Sequence, residues 1–450
     1  MQGRVQNLVY GDDAERRFAL RQHCAVATSR FACVVLTVAL TSLSGAFLGG
    51  GAAASVANPV EVAGARRMLV VPVRFAGIDP ESGREALADK TERVNRYIRI
   101  SSYGRTWIEP TITDWVDLPS PLADYRISAY NYGVDKSLVR RLLADALGSV
   151  RNRTGPGAAD PTAFDLVWIV VGARTAPGEG YGMISYAANP GMLSGVVRRS
   201  GHRAAMEAVD LAGGGRYAGA AIVSAVNAHL GHVVHDLLHA LGGVNTGSRV
   251  VPDLYDYDMQ SDPNIAHTSP APFAPHLGPW DVMSEHWIER QRPPPPPSSF
   301  TRLQLGWIAS TQVVTVTPGE TREVTLAPLA SGVGALVVRV PLAQGRYLLI
   351  ENRQPVGGDA VLPLAGMLVL EVDTGIEEGG GIVRAADANP GVPGLRAAPF
   401  RPGAGERRAY LSRAADVAVA PLAVAADGTL RLVVTTRGRI DEILSALPPR

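Results

Sequence analysis

Hydrophobic and polar residues follow two different patterns along the chain, and the pattern changes near residue 309. Apolar residues spaced three and four apart predict amphipathic helices, and short continuous apolar runs predict buried strands. In the first part, helices are predicted at 82–100, 135–150 and 226–243, and strands at 67–75, 106–116 and 165–171, while residues 220–226 lead into the third helix. Beyond residue 309, short alternating runs separated by Gly, Pro and Asp are typical of a β-sandwich. The sequence therefore predicts a domain of helices and strands at 66–309 and a β-rich, sandwich-like domain at 310–450.

Three local patterns add detail to this outline. Ser82 with Glu85 three residues later predicts a capping box at the start of the first helix. The glycine-rich stretch 178–215 predicts a loop with an edge strand. Five consecutive prolines at 293–297 predict a polyproline spacer before the first domain closes at 300–307.

The N-terminal segment has the layout of a secretory signal peptide. A polar stretch with several arginines comes first, an apolar run occupies 31–48, and a tract of small residues ends at Ala57. Residues 1–57 are therefore predicted to direct secretion, with cleavage after Ala57. The alternative is an uncleaved anchor at the cell surface, because the apolar run is barely long enough to span a bilayer.

Composition excludes several classes of partner and of metal site. The chain has 43 Lys and Arg against 42 Asp and Glu, a net charge of +1, so it lacks the basic excess typical of proteins that bind nucleic acid or anionic membranes. Its two cysteines, Cys24 and Cys33, both lie near the N-terminus. A metal bound by the main body must therefore be held by His, Asp or Glu.

The strongest chemical signal is the pair His235 and His239 on the predicted helix 226–243. Two histidines four residues apart lie about one helical turn apart, so both imidazoles can reach one tetrahedral metal ion. The same spacing also arises by chance among core or surface histidines. His229 and His232 share the helix, and solvated or hydrogen-bonded side chains are the better interpretation for both.

Further motifs follow one another along most of the chain beyond the predicted signal peptide. They are RYIRISSYG (96–104), DWVDLP (114–119), ADY (123–125), HDLLH (235–239), PDLYD (252–256), GPWDVMS (278–284), LQLGWI (303–308), LIENRQ (349–354) and LPLAG (362–366). In this order they resemble the immune inhibitor A family of secreted bacterial zinc metallopeptidases. The resemblance extends from about residue 67 to residue 373.

This resemblance implies a fold and a metal site. The fold is α+β: a zincin- or metzincin-like catalytic domain with a mixed sheet, a backing helix and an active-site helix. His235 and His239 are implied ligands of one zinc ion, and Met283 is implied to form the methionine turn beneath it. Strict spacing puts the third ligand at Asn245, whereas the motif puts it at Asp253 on a longer loop. Asp253 is favoured, because a neutral amide is a poor zinc ligand. Calcium binding cannot be derived from the sequence.

Asp236 departs from the family pattern, which has Glu between the two histidines. In that pattern Glu is the general base, and Asp is shorter by one methylene, about 1.5 Å of reach. The expected function is therefore a secreted zinc-dependent endopeptidase with a polypeptide substrate and reduced activity. The alternative is a catalytically silent pseudopeptidase that acts as an extracellular binding or scaffolding module. A second departure is Glu371, where the family pattern has His.

Overall fold

The computed structural model describes residues 56–80, 82–125, 136–153, 158–173, 185–187, 205–256, 276–286, 293–343, 345–403 and 405–446. They belong to one compact unit that begins at Ala52. Apart from its last two residues, the predicted signal peptide lies outside the described residues. Within the described ranges, no helix has both the length and the apolar character that a bilayer crossing requires.

The helices and strands fall into two groups on either side of residue 309. The helices are α1 (Arg84–Ser101), α2 (Lys136–Arg151), α3 (Leu230–Gly242), α4 (Ser299–Gln304) and α5 (Ile440–Ser445). The strands of the first group are β1 (Gly64–Arg74), β2 (Thr106–Ile112), β3 (Val116–Asp117), β4 (Leu166–Val171), β5 (Ser185–Ala187), β6 (Val209–Asp210), β7 (Arg216–Tyr217), β8 (Ala220–Ala225), β9 (Val244–Asn245) and β10 (Ser248–Arg249). Those of the second are β11 (Val313–Thr315), β12 (Arg322–Leu326), β13 (Val337–Ala343), β14 (Arg346–Arg353), β15 (Gly366–Asp373), β16 (Val383–Ala385), β17 (Tyr410–Leu411), β18 (Ala418–Val424) and β19 (Leu430–Thr435).

A six-stranded, mostly parallel sheet organises the first group. Its order is β2-β1-β4-β8-β5, with β3 also paired to β1. All pairings are parallel except that of β5 with β8. The sheet is therefore mixed, and the chain is a mixed α/β protein. The strand predicted at 106–116 is divided into β2 and β3.

Both faces of this sheet are covered, as the continuous apolar runs predict. Because side chains alternate along a strand, Met68 and Val70 of β1 lie in the core shared with α1 and α3. Leu69 and Val71 lie in the core shared with α2. As a result, α3, which contains the histidine pair, packs on the face of the sheet that α1 also covers.

The second group forms two sheets around a separate core. One has the order β11-β13-β14-β15-β16 and the other β12-β19-β18-β17, and apolar side chains from both meet in one cluster. The core beneath α1 and α3 also continues across residue 309, since Trp307, Leu349 and Leu368 belong to it. The β-rich part therefore packs directly against the part that contains α3.

Two local predictions are wrong. No capping box forms at α1, because Gly83 occupies the N-cap position with an extended backbone and no side chain caps the helix. The prolines at 293–297 are not a spacer, since all but the first are buried. Tyr97 donates a hydrogen bond to the carbonyl of Pro295 (2.8 Å), and Arg302 donates to that of Pro297 (3.0 Å). A proline has no N–H but keeps its carbonyl acceptor, and side chains donate to two of these buried carbonyls.

Candidate metal centre

Helix α3 follows β8 directly and is positioned by its own sequence. Val233 and Leu237 are fully buried on its apolar side. Gly231 lets the first turn approach the chain at His286, because an added Cβ would clash with the carbonyl oxygen of His286. The helix ends where Gly243 adopts φ +64°, a conformation that glycine tolerates best. Both ends of α3 are thus fixed next to the loops that complete the site.

Three predicted ligands converge beside α3. His235 Nε2 lies 2.9 Å from Asp253 Oδ1, and His239 Nε2 lies 3.0 Å from the same oxygen. The two Nε2 atoms are 3.1 Å apart. All three side chains are buried, and together they could hold a metal ion.

The other nitrogen of each imidazole determines the ring's orientation. His235 Nδ1 lies 3.1 Å from the carbonyl oxygen of Val282, and His239 Nδ1 lies 2.7 Å from that of Val251. A carbonyl can only accept, so each Nδ1 must carry the proton and each neutral ring presents a lone pair at Nε2. Two lone pairs and a carboxylate oxygen therefore face one another, and a cation between them removes their repulsion. This arrangement is typical of metal-bound histidines.

The separations also suit a small ion. The three ligand atoms lie 2.9–3.1 Å from one another, close enough for His235, His239 and Asp253 to hold one ion together. Two imidazoles and one carboxylate are a donor set of the kind that holds a divalent transition-metal ion.

Electrostatics keep the ligands in their metal-binding protonation states, with one exception. Burial, helped by the charge of Arg249, lowers the pKa of His239 to about 4. Burial alone would raise the pKa of Asp253, but the charges of His239 and Arg249 and the hydrogen bonds from both imidazoles lower it well below its usual range. For His235 burial lowers the pKa, and the hydrogen bond and charge of Asp253 outweigh it, so that the pKa is raised. In the metal-free protein a proton on His235 can thus take the cation's place.

A guanidinium and a second carboxylate lie directly behind the ligands. Arg249 Nη1 lies 3.3 Å and 3.1 Å from the two ring nitrogens of His239, so it stacks over the ring rather than along either lone pair. It is also 3.4 Å from Asp253 Oδ2 and 3.4 Å from Glu378 Oε1. The same Glu378 oxygen accepts the backbone N–H of Asp253 at 2.8 Å. Glu378 comes from the loop between β15 and β16.

The turn that contains Met283 is fixed by a buried carboxylate. Asp281 Oδ1 accepts the backbone N–H of Met283 (2.8 Å). Its Oδ2 accepts the N–H (2.8 Å) and hydroxyl (2.6 Å) of Ser298 and the hydroxyl of Thr301 (2.7 Å). The carbonyl of Met283 in turn accepts the N–H of Leu254 (2.9 Å), which joins this turn to the loop that supplies Asp253. Met283 itself is fully buried in the core beneath α1 and α3.

Strand β14 supports this turn from the second group of strands. Arg353, which is fully buried, donates to the carbonyl of Trp280 (3.1 Å) and pairs with Glu351 and Asp359. Glu351 also accepts the N–H of Ser299, at the start of α4 (2.7 Å). Burial alone would lower the pKa of Arg353, but the two carboxylates raise it and keep the guanidinium charged. The motif at 349–354 thus links the two parts of the chain.

Three further histidines form a row of rings that ends at the metal centre. Ring centroids are 5.4 Å apart for His229 and His232, 4.9 Å for His232 and His286, and 4.1 Å for His286 and His235. His232 and His286 are buried, and burial lowers the pKa of both well below the usual range. The sequence suggested that His232 is either solvated or hydrogen-bonded, and its burial rules out the first of these environments.

The remaining predicted residues have distinct surroundings. Asp236 is buried in α3. Asn245 belongs to β9, and its amide donates to the carbonyl of Asn58 (3.5 Å), whereas Asp253 is the residue whose oxygen meets both imidazoles. Glu371 is exposed and accepts the hydroxyl of Tyr410 (2.5 Å). Sequence reasoning missed Arg249 and Glu378, and no pattern around either residue indicates a metal centre.

Comparison of the sequence with protein-family models gives no match, and comparison with curated proteins gives none either.

Proposed function

We propose that the protein is a secreted, zinc-dependent endopeptidase of low activity. The observation that supports this most strongly is the convergence of His235 Nε2, His239 Nε2 and Asp253 Oδ1 within 3.1 Å, with both Nδ1 atoms at backbone carbonyls. A cation between these buried acceptors removes their mutual repulsion. Zinc is proposed because of the donor set, and when bound it supplies a Lewis acid that activates water or polarises a carbonyl.

Asp236 is the proposed general base. It precedes Leu237 in α3 and is buried next to His235, and its negative charge contributes to the raised pKa of that histidine. Its carboxylate would accept a proton from the attacking water and return it to the leaving amine. Because Asp is about 1.5 Å shorter than Glu, the proton would have to cross a longer gap or pass through a second water. The proposed low activity follows from the shorter side chain of Asp236.

A polypeptide is the proposed substrate class. Strand β5 is at the end of the sheet order and pairs antiparallel with β8, the strand that leads into α3. The outer edge of such a strand offers backbone N–H and C=O groups to an extended peptide. A peptide bound there would lie along the side of the sheet nearest α3.

The test is metal analysis of the purified protein together with cleavage of casein and of a peptide library, with and without a chelator. The proposal predicts about one zinc ion per chain and slow cleavage that the chelator abolishes and zinc restores. A protein that binds no metal and cleaves nothing refutes the proposal.

A catalytically silent pseudopeptidase is the second candidate, and the observation that favours it is the stacking of the Arg249 cation on the ligand His239. The variant Asp236→Glu distinguishes the two. Under the first proposal it cleaves faster than the wild type, by one or more orders of magnitude. If the wild type cleaves nothing and the variant cleaves, the wild type is a silent pseudopeptidase with its metal in place; if neither cleaves, the metal site itself has decayed.

A further inference from the structure

We propose that Glu378 is a positioning residue of the metal centre: it fixes the backbone at Asp253 and offsets the charge of Arg249. Metal binding by the part that contains α3 then depends on a side chain from the β15–β16 loop. This inference rests on the proposed function, since it concerns the same His235–His239–Asp253 group.

The first role follows from one hydrogen bond. Glu378 Oε1 accepts the N–H of Asp253 at 2.8 Å, across a sequence separation of 125 residues. Asp253 is 5% exposed and Glu378 is 12% exposed, so a buried donor is satisfied by a nearly buried charged acceptor. Asp253 lies in a loop rather than in a strand or helix. The bond to Glu378 therefore restrains the backbone from which the third ligand projects.

The second role follows from charge. Arg249, which is 4% exposed, stacks on His239 and lies 3.4 Å from Asp253 Oδ2. A fixed positive charge so close to the ligands opposes the binding of a dication. With neutral imidazoles, the charges of Asp253 and Arg249 cancel, and Glu378, 3.4 Å from Arg249, adds a negative charge to that of Asp236 beside His235. Without Glu378 the dication would enter a group that is less negative by one charge.

The experiment measures the zinc affinity of the full chain by competition with a chromophoric chelator. Glu378→Gln keeps an oxygen that can accept the Asp253 N–H but loses the charge, whereas Glu378→Ala loses both. We expect zinc affinity to fall about 10-fold for Glu378→Gln and towards 100-fold for Glu378→Ala, the range typical of residues that support metal ligands. The double variant Arg249→Met/Glu378→Gln should recover to within a few-fold of the wild type, because it also removes the charge that Glu378 offsets.

Glu377→Gln is the matched control: it makes the same chemical change in the same loop at an exposed side chain, and its zinc affinity should not change. Urea unfolding of the metal-free variants separates positioning from folding. If the Glu378 variants lose stability while their folded fraction binds zinc as tightly as the wild type, the role is structural and the inference is wrong. Equal affinity and equal stability also refute it and leave the proposed function intact. A wild type that binds no zinc refutes both.

Discussion

The carboxylate of Asp281 should be one of the most sensitive side chains of the fold, and Asp281→Asn tests this with a change of almost no volume. Oδ1 accepts one backbone N–H, and Oδ2 accepts another together with two hydroxyls. An asparagine has one acceptor oxygen and one NH₂ donor. In either orientation, its NH₂ faces a backbone N–H, that of Met283 or that of Ser298, which cannot rotate away.

The expected cost can be worked out from these contacts. A buried donor left without an acceptor costs about 1–3 kcal/mol, and bonds that lose the charge of their acceptor each weaken by up to about 1 kcal/mol. The hydroxyls of Ser298 and Thr301 can turn and recover part of this loss. We therefore expect Asp281→Asn to lower the free energy of unfolding by about 2–4 kcal/mol.

Urea unfolding of the metal-free protein measures this difference. Asp427→Asn is the control, because Asp427 is exposed and accepts the N–H of Thr429 in a turn that Asn also suits, so its unfolding midpoint should match that of the wild type. Zinc affinity should fall in Asp281→Asn as well, since Val282, whose carbonyl orients His235, belongs to the same turn. A midpoint within error of the wild type would refute the reasoning.

Two other predictions concern the third ligand and a half-buried lysine. Asp253→Asn should lower zinc affinity by more than about 100-fold, which exceeds the range for residues that only support the ligands, whereas Asn245→Ala should leave it nearly unchanged. Competition with a chelator measures both affinities. A larger loss in Asn245→Ala than in Asp253→Asn would refute Asp253 as the third ligand. Lys90 donates to the carbonyl of Val226 (3.1 Å), and burial, with the charge of Arg93, lowers its pKa from 10.5 to about 8. Between these two pKa values the unfolded chain binds more protons than the folded chain, so the wild type should become more stable as the pH rises. Relative to Lys90→Met, urea unfolding should show a gain of about 1–3 kcal/mol from pH 8 to pH 10. The absence of a gain would contradict the lowered pKa.

Local sequence patterns predicted the helices and strands whose apolar faces are visible in the sequence itself. The apolar runs of β1 and β4 and the stripe of α3 are recognisable because a buried strand or helix face must be apolar along its length. The predicted capping box is absent because the helix begins one residue later than expected, so that Gly83 rather than Ser82 is the N-cap residue. The proline run failed because its burial depends on Tyr97 and Arg302, whose positions composition does not indicate.

In the candidate metal centre, too, local sequence patterns indicate some residues and not others. Two histidines one turn apart meet whenever their helix forms, so spacing alone brings His235 and His239 together. Asp253 could be favoured only by motif, because a longer loop has many conformations. Glu378 lies outside any local pattern, since its relation to Asp253 is created by the packing of the β15–β16 loop against the ligand loop. Charge compensation at this site is therefore a property of the tertiary structure.

The segment that precedes β1 has a practical consequence for recombinant work. Val56 and Ala57 are buried in the core beneath α1 and α3, and the amide of Gln304 donates both to the carbonyl of Ala57 (3.0 Å) and to that of Val250 (2.9 Å). Val250 lies three residues before Asp253. An expression plasmid whose open reading frame starts at Asn58 would omit two apolar side chains and one of these acceptors, and would loosen the loop that leads to the third ligand. Signal-peptide cleavage after Ala57 would remove the same groups, so this packing favours a cleavage site upstream of Val56. Truncations intended for crystallisation should therefore begin upstream of Val56.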